Sequence, residues 1–387
     1  MRLIAALTLL LLAPHAEAQD KKGAKPKVDP RQVDAAIQKG TAFLKSQLGK
    51  YGTLGRIRSE ELLLWTFVHA GLPETDPDVA ALLKTVTETP LQHTYSVSLQ
   101  ALILEELDRV KWQPRLAECA QFLVDNQCAN GQWSYGEPTT AKPEIPTGGK
   151  GKDVASGGGK PAKPGALKGK PKVVRKIPVK KTRDGKPIGD NSNSQYASLG
   201  LRACHDAGIV LPEEVVALAE KWWRTSAGEP DKSGGYETQG WGYLHKNDSA
   251  YGSMSAGAVG ALLIYDYLQN KPWMKDKEIT AGMEWLARHF NVTANPEAPA
   301  GDAADQAGWH YYYLYALERA GIFFGTEKFG GHEWYPEGAA YLLGAQKPDG
   351  SWMAGTAHPI WDTCFAILFL RRATRPLIDV ASVDRLK

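Results

Sequence analysis

The sequence has no long apolar run, no large excess of charge of one sign and few cysteines. No stretch reaches the roughly 20 uninterrupted apolar residues of a membrane-spanning helix. Lys and Arg number 46 against 43 Asp and Glu, a balance too even to indicate a nucleic-acid-binding protein. Of the four cysteines, Cys119 and Cys128 lie closest in sequence. In a helix their Cα atoms would be about 13 Å apart, beyond disulfide reach, so we expect free, buried thiols.

The N-terminal segment carries the pattern of an export signal. Met1 and Arg2 form a short positive start, residues 3–12 are apolar, and Ala16-Glu17-Ala18 is a small-x-small cleavage site. This pattern predicts a signal peptide over residues 1–18 and an exported protein, periplasmic or extracellular, that does not span the membrane. Residues 19–30 are rich in Lys and Pro, and we expect them to form a flexible leader.

A basic segment interrupts the rest of the chain. Residues 137–190 hold twelve Lys, two Arg, ten Gly and eight Pro against five acids, for a local charge of +9. Such a composition buries too little apolar surface to offset chain entropy. The sequence therefore predicts a disordered insertion, with a short hairpin over residues 173–186, inside one folded domain made of residues 31–136 and 191–387. The Lys residues suit contact with an anionic surface.

Two kinds of helical segment alternate through the folded domain. In the amphipathic kind a small residue precedes a large apolar one by three positions, as in Ala219 with Trp222. The other kind is more apolar and covers residues 60–71, 94–107, 194–208, 253–268, 308–321 and 362–373. Six segments of each kind predict two concentric layers, which is an all-α (α/α)6 toroid of six helical hairpins. An open α-solenoid is the alternative.

Two of the amphipathic segments end in the same motif, Q-x-x-x-G-x-W. The motif residues are Gln127, Gly131 and Trp133 in the first segment and Gln346, Gly350 and Trp352 in the second. Glycine permits the positive φ that ends a helix, glutamine offers an amide to helix-terminal backbone groups, and tryptophan covers the joint from water. The motif resembles the QW repeat of squalene-hopene cyclases and of the wider prenyltransferase and squalene oxidase repeat family. That resemblance implies an α/α toroid with a ligand-binding central cavity.

The acidic motifs of that family are missing. The sequence has no D-x-D-D for protonating an alkene and no D-D-x-x-D for magnesium-bound pyrophosphate. Its nearest approach is Asp302-Ala-Ala-Asp305, with different spacing. We therefore do not expect triterpene cyclisation.

A zinc site is the other feature that the resemblance suggests. Asp362 and Cys364 resemble part of the ligand set of protein prenyltransferases, with His310 or His358 as the third ligand. On a helix, however, Asp362 and Cys364 point about 200° apart and do not share a metal. The favoured interpretation is Asp362 as helix N-cap and Cys364 as a core residue. Cys204-His205 resembles zinc ligands of lanthionine cyclases only weakly, so no cofactor is predicted and zinc stays an alternative.

Polar and aromatic residues recur where the apolar segments begin. In a toroid the N-termini of the inner helices open at one end of the central cavity, so these side chains converge there. The predicted ligand-binding residues are His93, Tyr95, Asn193, Gln195, Tyr251, Trp309, His310, Tyr313 and Trp361. Their rings suit either a polyisoprenoid with cationic character or the rings of a carbohydrate.

Three functions are compatible with the sequence. The first is binding of a hydrophobic, isoprenoid-like or ring-bearing small molecule in the central cavity without cyclase chemistry. The alternative is a divergent enzyme on the same toroid, a polysaccharide lyase or hydrolase or a zinc-dependent transferase. Its catalytic candidates are His310, Tyr311, Asp305 and Asp362. The third is an interaction scaffold in which the basic insertion does the binding.

Overall fold

The computed structural model describes residues 28–50, 58–146, 170–298, 309–354 and 359–377. The predicted signal peptide, residues 19–27 of the leader, and the candidates Asp305 and His358 lie outside the described residues. Within those ranges, no helix is long and apolar enough to cross a membrane.

Twelve helices in the described ranges alternate between an outer and an inner layer. The outer helices are α1 (Pro30–Ser46), α3 (Pro77–Glu88), α5 (Gln113–Asp125), α7 (Glu213–Thr225), α9 (Lys277–Arg288) and α11 (Trp334–Ala345). The inner helices are α2 (Glu60–Ala70), α4 (Thr94–Asp108), α6 (Asn191–Asp206), α8 (Gly252–Leu268), α10 (His310–Phe324) and α12 (Pro359–Arg371). Two pairs of short strands accompany them, β1 (Ile177–Pro178) parallel to β2 (Ile209–Val210) and β3 (Lys328–Phe329) antiparallel to β4 (His332–Glu333).

The inner helices form a closed ring. Each packs against the next along the chain, in the order α2, α4, α6, α8, α10 and α12, and α12 packs in turn against α2. The outer helices pack on the outside of this ring, as α5 does on α4 and α6, and α1 contacts both α2 and α12. The predicted (α/α)6 toroid is therefore confirmed. An open solenoid is excluded because the last hairpin contacts the first.

The two layers differ in how much of each helix they bury. In α8 every residue from Gly252 to Asp266 is buried, whereas α9 buries one face that includes Ile279, Trp285 and Leu286. An inner helix touches neighbours on all sides and is therefore buried all round, while an outer helix exposes its far side to water. The outer helices α1, α3 and α9 each begin at an aspartate whose carboxylate accepts a backbone N–H of the first turn.

Tryptophan side chains connect the two layers at three equivalent joints. In each joint the indole N–H donates to a carbonyl near the end of an outer helix at 2.7 or 2.8 Å. The backbone N–H of the same tryptophan donates to a hydroxyl in the first turn of the next inner helix at 2.9 or 3.0 Å. The three pairs are Trp133 with Ser194, Trp241 with Ser255, and Trp352 with Thr363. Each joint thus fixes an inner helix to the outer helix before it.

The C-terminal joint also closes the ring onto the N-terminal helix. Gln346 Nε2 donates to the Ala36 carbonyl of α1 at 2.8 Å. The ring of Trp352 lies against Gly40, where a Cβ atom would come within 2.7 Å of it. A larger residue than glycine at this position of α1 would push the tryptophan out of the joint.

Glycine is required in the turn of the motif for two reasons. Gly350 has a φ of +90°, and a Cβ atom there would lie 2.5 Å from the Lys39 carbonyl oxygen of α1. Gly131 has a φ of +97°, and its Cβ atom would lie 2.5 Å from the Leu218 carbonyl oxygen of α7. Gln127 donates to a carbonyl of α7 as well. One motif therefore makes both an internal joint and the closing joint.

Residues 170–190 pack against the ring, which their composition did not indicate. Ile177 and Val179 are buried, and β1 pairs with β2 in parallel instead of forming the expected hairpin. The prediction of disorder is therefore wrong for this part of residues 137–190. The physical reason is that two alternating apolar residues bury themselves beside β2, which packs on α5 and α6. Residues 147–169 lie outside the described ranges.

Both ends of the insertion are held at the C-terminus of α5. The buried carboxylate of Asp125 accepts the Thr139 hydroxyl at 2.6 Å and the backbone N–H of Thr182 at 2.8 Å. The next residue, Asn126, exchanges two hydrogen bonds with the backbone of Glu137. Asp125 and Asn126 therefore hold the chain both before and after residues 140–181, although residues 170–181 also pack on the ring elsewhere.

The C-terminal segment covers the end of the ring that lies opposite the N-termini of the inner helices. The Thr374 hydroxyl donates to the buried carboxylate of Glu318 at 2.5 Å, and Arg375 Nε donates to Glu106 at 2.6 Å. Leu377 is buried. Side chains of α4 and α10 thus hold this segment across the C-terminal ends of the inner helices.

Replacing Gly350 by alanine should destabilise the fold, because its positive φ and the nearby Lys39 carbonyl both oppose a Cβ atom. We expect the free energy of unfolding to fall by about 2 kcal/mol or more, measured by urea denaturation followed by circular dichroism. Gly344→Ala is the matched control, since nothing lies within 4 Å of a Cβ atom at that position of α11, and alanine favours helix over glycine by about 1 kcal/mol. Equal stability of the two variants would contradict the closing role of the joint.

Candidate functional site

The end of the ring where the inner helices begin is called the mouth. Six side chains lie close together there and form the mouth cluster, which consists of Tyr95, Ser192, Tyr243, Tyr251, Trp309 and Tyr312. Tyr243 and Trp309 are 38% and 37% exposed, whereas Tyr95 and Tyr312 are 8% and 5% exposed. The mouth cluster therefore extends from the surface into the ring.

Asp190 positions the start of α6 in the mouth. Its Oδ1 accepts the backbone N–H of Asn193 at 2.7 Å and the Ser192 hydroxyl at 2.6 Å, and its Oδ2 accepts Asn193 Nδ2 at 2.8 Å. Both carboxylate oxygens are thus used in capping the helix. Ser192 Oγ lies 3.2 Å from Tyr243 Oη, which ties the loop before α8 to α6. Asn193, a predicted ligand-binding residue, is fully buried in this cap.

Three tyrosines from three inner helices pack together below the opening. The Tyr95 ring of α4 lies 4.4 Å from the Tyr196 ring of α6, which in turn lies 6.2 Å from the Tyr312 ring of α10. Trp309 adds an edge contact to Tyr312, with ring centres 5.9 Å apart. Burial raises the pKa of all three phenols, and it raises the pKa of Tyr243 to about 12. These hydroxyls are therefore neutral hydrogen-bond donors at physiological pH.

Beneath the tyrosines, an arginine and a glutamine occupy the axis of the ring. Arg319 Nη2 donates to Gln195 Oε1 at 3.0 Å, and Gln195 Nε2 donates to Tyr312 Oη at 2.5 Å. The guanidinium lies 4.3 Å from the centre of the Tyr315 ring. Gln195, Tyr315 and Arg319 are 2%, 3% and 4% exposed. Side chains therefore fill the axis at this level, where the sequence predicted a ligand cavity.

Arg319 was not among the residues that the sequence predicted for the central cavity. Arg319 follows Tyr312 by seven residues and Tyr315 by four, a spacing that places all three on one face of α10. This spacing was the sequence signal that could have grouped Arg319 with Tyr312 and Tyr315. It did not reveal which face of the helix points to the axis.

Three predicted residues of α10 lie outside the mouth cluster. His310 Nε2 donates to the Val292 carbonyl at 2.9 Å, and its ring packs against Tyr341 of the outer helix α11. Burial lowers the pKa of His310 to about 4, so its ring is neutral at physiological pH. Tyr311 hydrogen-bonds to Tyr341, and Tyr313 is fully buried. The helical period turns these three side chains toward the outer layer, away from the mouth cluster.

The remaining predicted ligand-binding residues differ in their surroundings. His93 and Tyr251 are half-buried N-caps of α4 and α8. Trp361 is 7% exposed and donates its indole N–H to the Ser59 hydroxyl at 2.9 Å, so it packs toward α2. The predicted residues that do belong to the mouth cluster are Tyr95, Tyr251 and Trp309, with Gln195 directly below it.

Asp362 and Cys364 do not share a metal site. Asp362 Oδ2 accepts the backbone N–H of Ala354 at 2.9 Å, whereas Cys364 hydrogen-bonds to Thr66 of α2. Asp362 is also inside the first turn of α12 and is not the N-cap that the sequence predicted. Among the described residues, no group of three or more His, Cys, Asp or Glu side chains is placed to hold a metal ion. All four cysteines are free and buried, as expected.

A solved structure is similar to this chain at low sequence identity. No protein-family model and no curated protein matches this chain. The chain is similar to a solved structure described as that of a possible member of GH105 family from Salmonella enterica subsp. enterica serovar Paratyphi A str. ATCC 9150, with 12% sequence identity and a TM-score of 0.49. The match covers 94% of this chain and 98% of that chain. Membership of the prenyltransferase and squalene oxidase repeat family stays a prediction from the Q-x-x-x-G-x-W motifs.

Asp362 should make the protein less stable as the pH rises. Burial raises the pKa of its carboxyl group from a usual value of 3.8 to about 8. Between these two values the unfolded chain has lost the proton and the folded chain keeps it. The free energy of unfolding therefore falls with rising pH by at most about 1.4 kcal/mol per pH unit from this group.

Asp362→Asn should remove that slope. The chain offers a natural precedent, since Asn193 precedes the joint hydroxyl of α6 just as Asp362 precedes that of α12. The unfolding free energies of wild type and variant, measured by denaturant titration, should diverge in favour of the variant between pH 4 and pH 7. A difference that stays constant across this range would contradict the raised pKa.

Proposed function

We propose that the protein binds a polar, ring-shaped small molecule, such as a sugar residue, at the mouth cluster. The observation that carries this proposal is a continuous set of rings and hydroxyls from exposed Tyr243 and Trp309 to the buried phenols of Tyr95 and Tyr312. Aromatic faces pack against the C–H faces of a sugar, and neighbouring hydroxyls and amides satisfy its polar edge.

An isoprenoid ligand in the central cavity has less support. A hydrocarbon chain needs an apolar channel, whereas the axis holds Gln195 and Arg319, which are 2% and 4% exposed. Placing a hydrocarbon against the guanidinium would remove its polar surroundings without compensation. A ring-bearing ligand therefore fits the mouth better than an isoprenoid does.

A glycan-cleaving enzyme is the second candidate, and Asp362 is the residue that favours it. A carboxyl group with a pKa of about 8 stays protonated at neutral pH, as a general acid requires. Its neighbours Ala354 and Tyr311, however, do not belong to the mouth cluster. Asp190, the carboxylate of the mouth, has both oxygens engaged in capping α6. Because glycosidases use two facing carboxyl groups, we favour binding over cleavage.

The location and the surface partner of the protein are part of the proposal. The signal-peptide pattern of residues 1–18 supports export, where a carbohydrate ligand would be met outside the cytoplasm. The charge of the insertion supports contact with anionic surfaces. Export and contact with anionic surfaces can both be tested with the full chain in its own host.

Sugar binding at the mouth should depend on the exposed rings. Tyr243→Ala and Trp309→Ala should each weaken binding about 10-fold, since a stacked ring contributes about 1 kcal/mol or more. Oligosaccharides are first screened by tryptophan fluorescence, and the best binder is then titrated by calorimetry.

Met274→Ala is the matched control for these two variants. Met274 is a large apolar residue that is 63% exposed, and it follows α8 at the opposite end of the ring. This variant should bind as tightly as the wild type. The proposed site is wrong if both mouth variants also bind like wild type, or if no oligosaccharide in the screen binds.

A further inference from the structure

Residues 172–186, called the basic strip, are fixed on the outer wall of the ring. Side chains at the beginning, in the middle and at the end of α5 hydrogen-bond to the backbone of the strip. The bonded pairs are Gln113 with the Arg175 carbonyl at 2.8 Å, Gln121 with the Lys180 carbonyl at 2.6 Å and Asp125 with the Thr182 N–H at 2.8 Å. The basic strip therefore runs along the whole length of α5, and its backbone is held in place by that helix.

The basic strip carries positive charge that the ring does not neutralise. Seven of its fifteen residues are Lys or Arg, and one is acidic. Asp184 pairs with Lys181 at 2.9 Å, and Glu137 lies 3.9 Å from Arg183. The lysines that are exposed and form no ion pair within the described ranges are Lys172, Lys176, Lys180 and Lys186. These four charges are available to an anionic partner outside the molecule.

The strand pairing orients the side chains of the basic strip. Ile177 of β1 pairs with Ile209 of β2, and both are buried. The next pair, Pro178 with Val210, therefore lies on the opposite face, which points to solvent. Burial alternates along residues 176–180, so the outward face carries Lys176, Pro178, Lys180 and Val210.

Exposed aliphatic side chains are concentrated at the basic strip. Val174 is 72% exposed, and Ile188, two residues beyond the strip, is 67% exposed. With Ile145 and Val210, these are the exposed valines and isoleucines of the described ranges. All four belong to residues 137–190 or to β2, which pairs with them. Exposed aliphatic side chains next to lysines are typical of a surface that contacts lipid, because the lysines attract anionic headgroups and the aliphatic groups enter the interface.

A carbohydrate polymer fits the basic strip less well than lipid does. Protein sites for sugars combine aromatic faces with hydrogen-bonding side chains, and the basic strip contains no aromatic residue. Valine, isoleucine and proline instead gain free energy by leaving water, which a bilayer interface allows and a hydrated sugar chain does not.

We propose that the basic strip binds the surface of a bilayer that contains anionic phospholipids. Its lysines pair with lipid phosphate groups, and Val174 and Val210 enter the boundary between the headgroups and the acyl chains. This inference rests on the proposed contact with anionic surfaces, which it assigns to the basic strip and to lipid. It is independent of sugar binding at the mouth.

Vesicle sedimentation with the full chain tests the proposal. One set of vesicles consists of phosphatidylcholine alone, and the other of equal parts phosphatidylcholine and phosphatidylglycerol. Wild type should bind the anionic vesicles about 10-fold or more tightly than the neutral ones at low salt. This preference should decline as salt is added, because salt screens exposed charges.

The triple variant Lys172→Gln, Lys176→Gln and Lys180→Gln should weaken binding to anionic vesicles about 100-fold, since each lysine near the surface contributes about 5-fold. The matched control carries Lys39→Gln, Lys84→Gln and Lys277→Gln. It changes the net charge equally at exposed positions of α1, α3 and α9, and it should bind like wild type. Equal binding by the two triple variants would overturn the inference and leave contact with anionic surfaces through another part of the chain.

The double variant Val174→Ser and Val210→Ser tests the aliphatic contact. It should weaken binding to anionic vesicles about 10-fold at both low and high salt, because burial of apolar groups is not screened. Circular dichroism establishes that each variant is folded. Unchanged binding by this variant would overturn the proposed insertion of the two valines.

Polygalacturonate, an anionic polysaccharide, separates lipid from carbohydrate as the partner. If wild type binds polygalacturonate but not the anionic vesicles, the assignment to lipid is overturned. If it binds neither, the proposed contact with anionic surfaces is overturned as well. Sugar binding at the mouth is decided separately by Tyr243→Ala and Trp309→Ala, and the triple variant of the basic strip should bind sugar like wild type.

Discussion

The contact between the last joint and the first helix is the constraint on which the rest of the structure depends. A linear row of hairpins would leave one apolar flank of its first and last inner helices in water. Packing of α12 on α2 removes both flanks at once. The hydrogen bond from Gln346 to Ala36 spans 310 positions of the sequence, yet the entropic cost of closing a loop rises only slowly with its length. The apolar area gained on closure grows with the full length of two helices.

Closure of the ring also determines what lies at its axis. Six inner helices converge there, and they do not contribute equally. Helix α8 presents small residues, and a Cβ atom at Gly257 would come within 2.6 Å of Gln195 Oε1. The space left by that glycine admits the glutamine, which in turn orients Arg319 and Tyr312. A polar centre in an otherwise apolar ring therefore follows from the unequal sizes of the residues that face it.

The layers of the ring were predictable because their cause is local. Amphipathic and apolar segments alternate in the sequence, and each pattern depends on the neighbours of one helix. The direction in which an individual side chain points was not predictable, because an inner helix is buried on all sides and its sequence pattern does not distinguish one face from another. The residue types of His310 and Tyr313 suit a binding site, yet both side chains face the outer layer. Arg319 was overlooked because arginine in a helix is usually solvated.

The basic insertion shows a different limit of sequence reasoning. Its mean composition indicates disorder, and composition averages over residues that behave differently. Ile177 and Val179 decide the placement of their segment, because two buried side chains and a strand pairing outweigh the surrounding lysines. Two apolar residues this close together often occur by chance, so their burial cannot be predicted from the sequence before the surface that they pack against is known.

The hydrogen bonds of Asp125 to Thr139 and Thr182 hold parts of the insertion on the ring independently of residues 147–169. Asp125 holds the chain before residues 147–169, and Glu105 of α4 pairs with Lys170 directly after them, so the distance that residues 147–169 have to bridge is fixed. Doubling the length of such a loop costs only about 0.6 kcal/mol. Segments of other lengths, or a whole folded module, could replace residues 147–169 while the six hairpins keep their places. Residues 147–169 can therefore be replaced by other sequences without changes in the core of the ring.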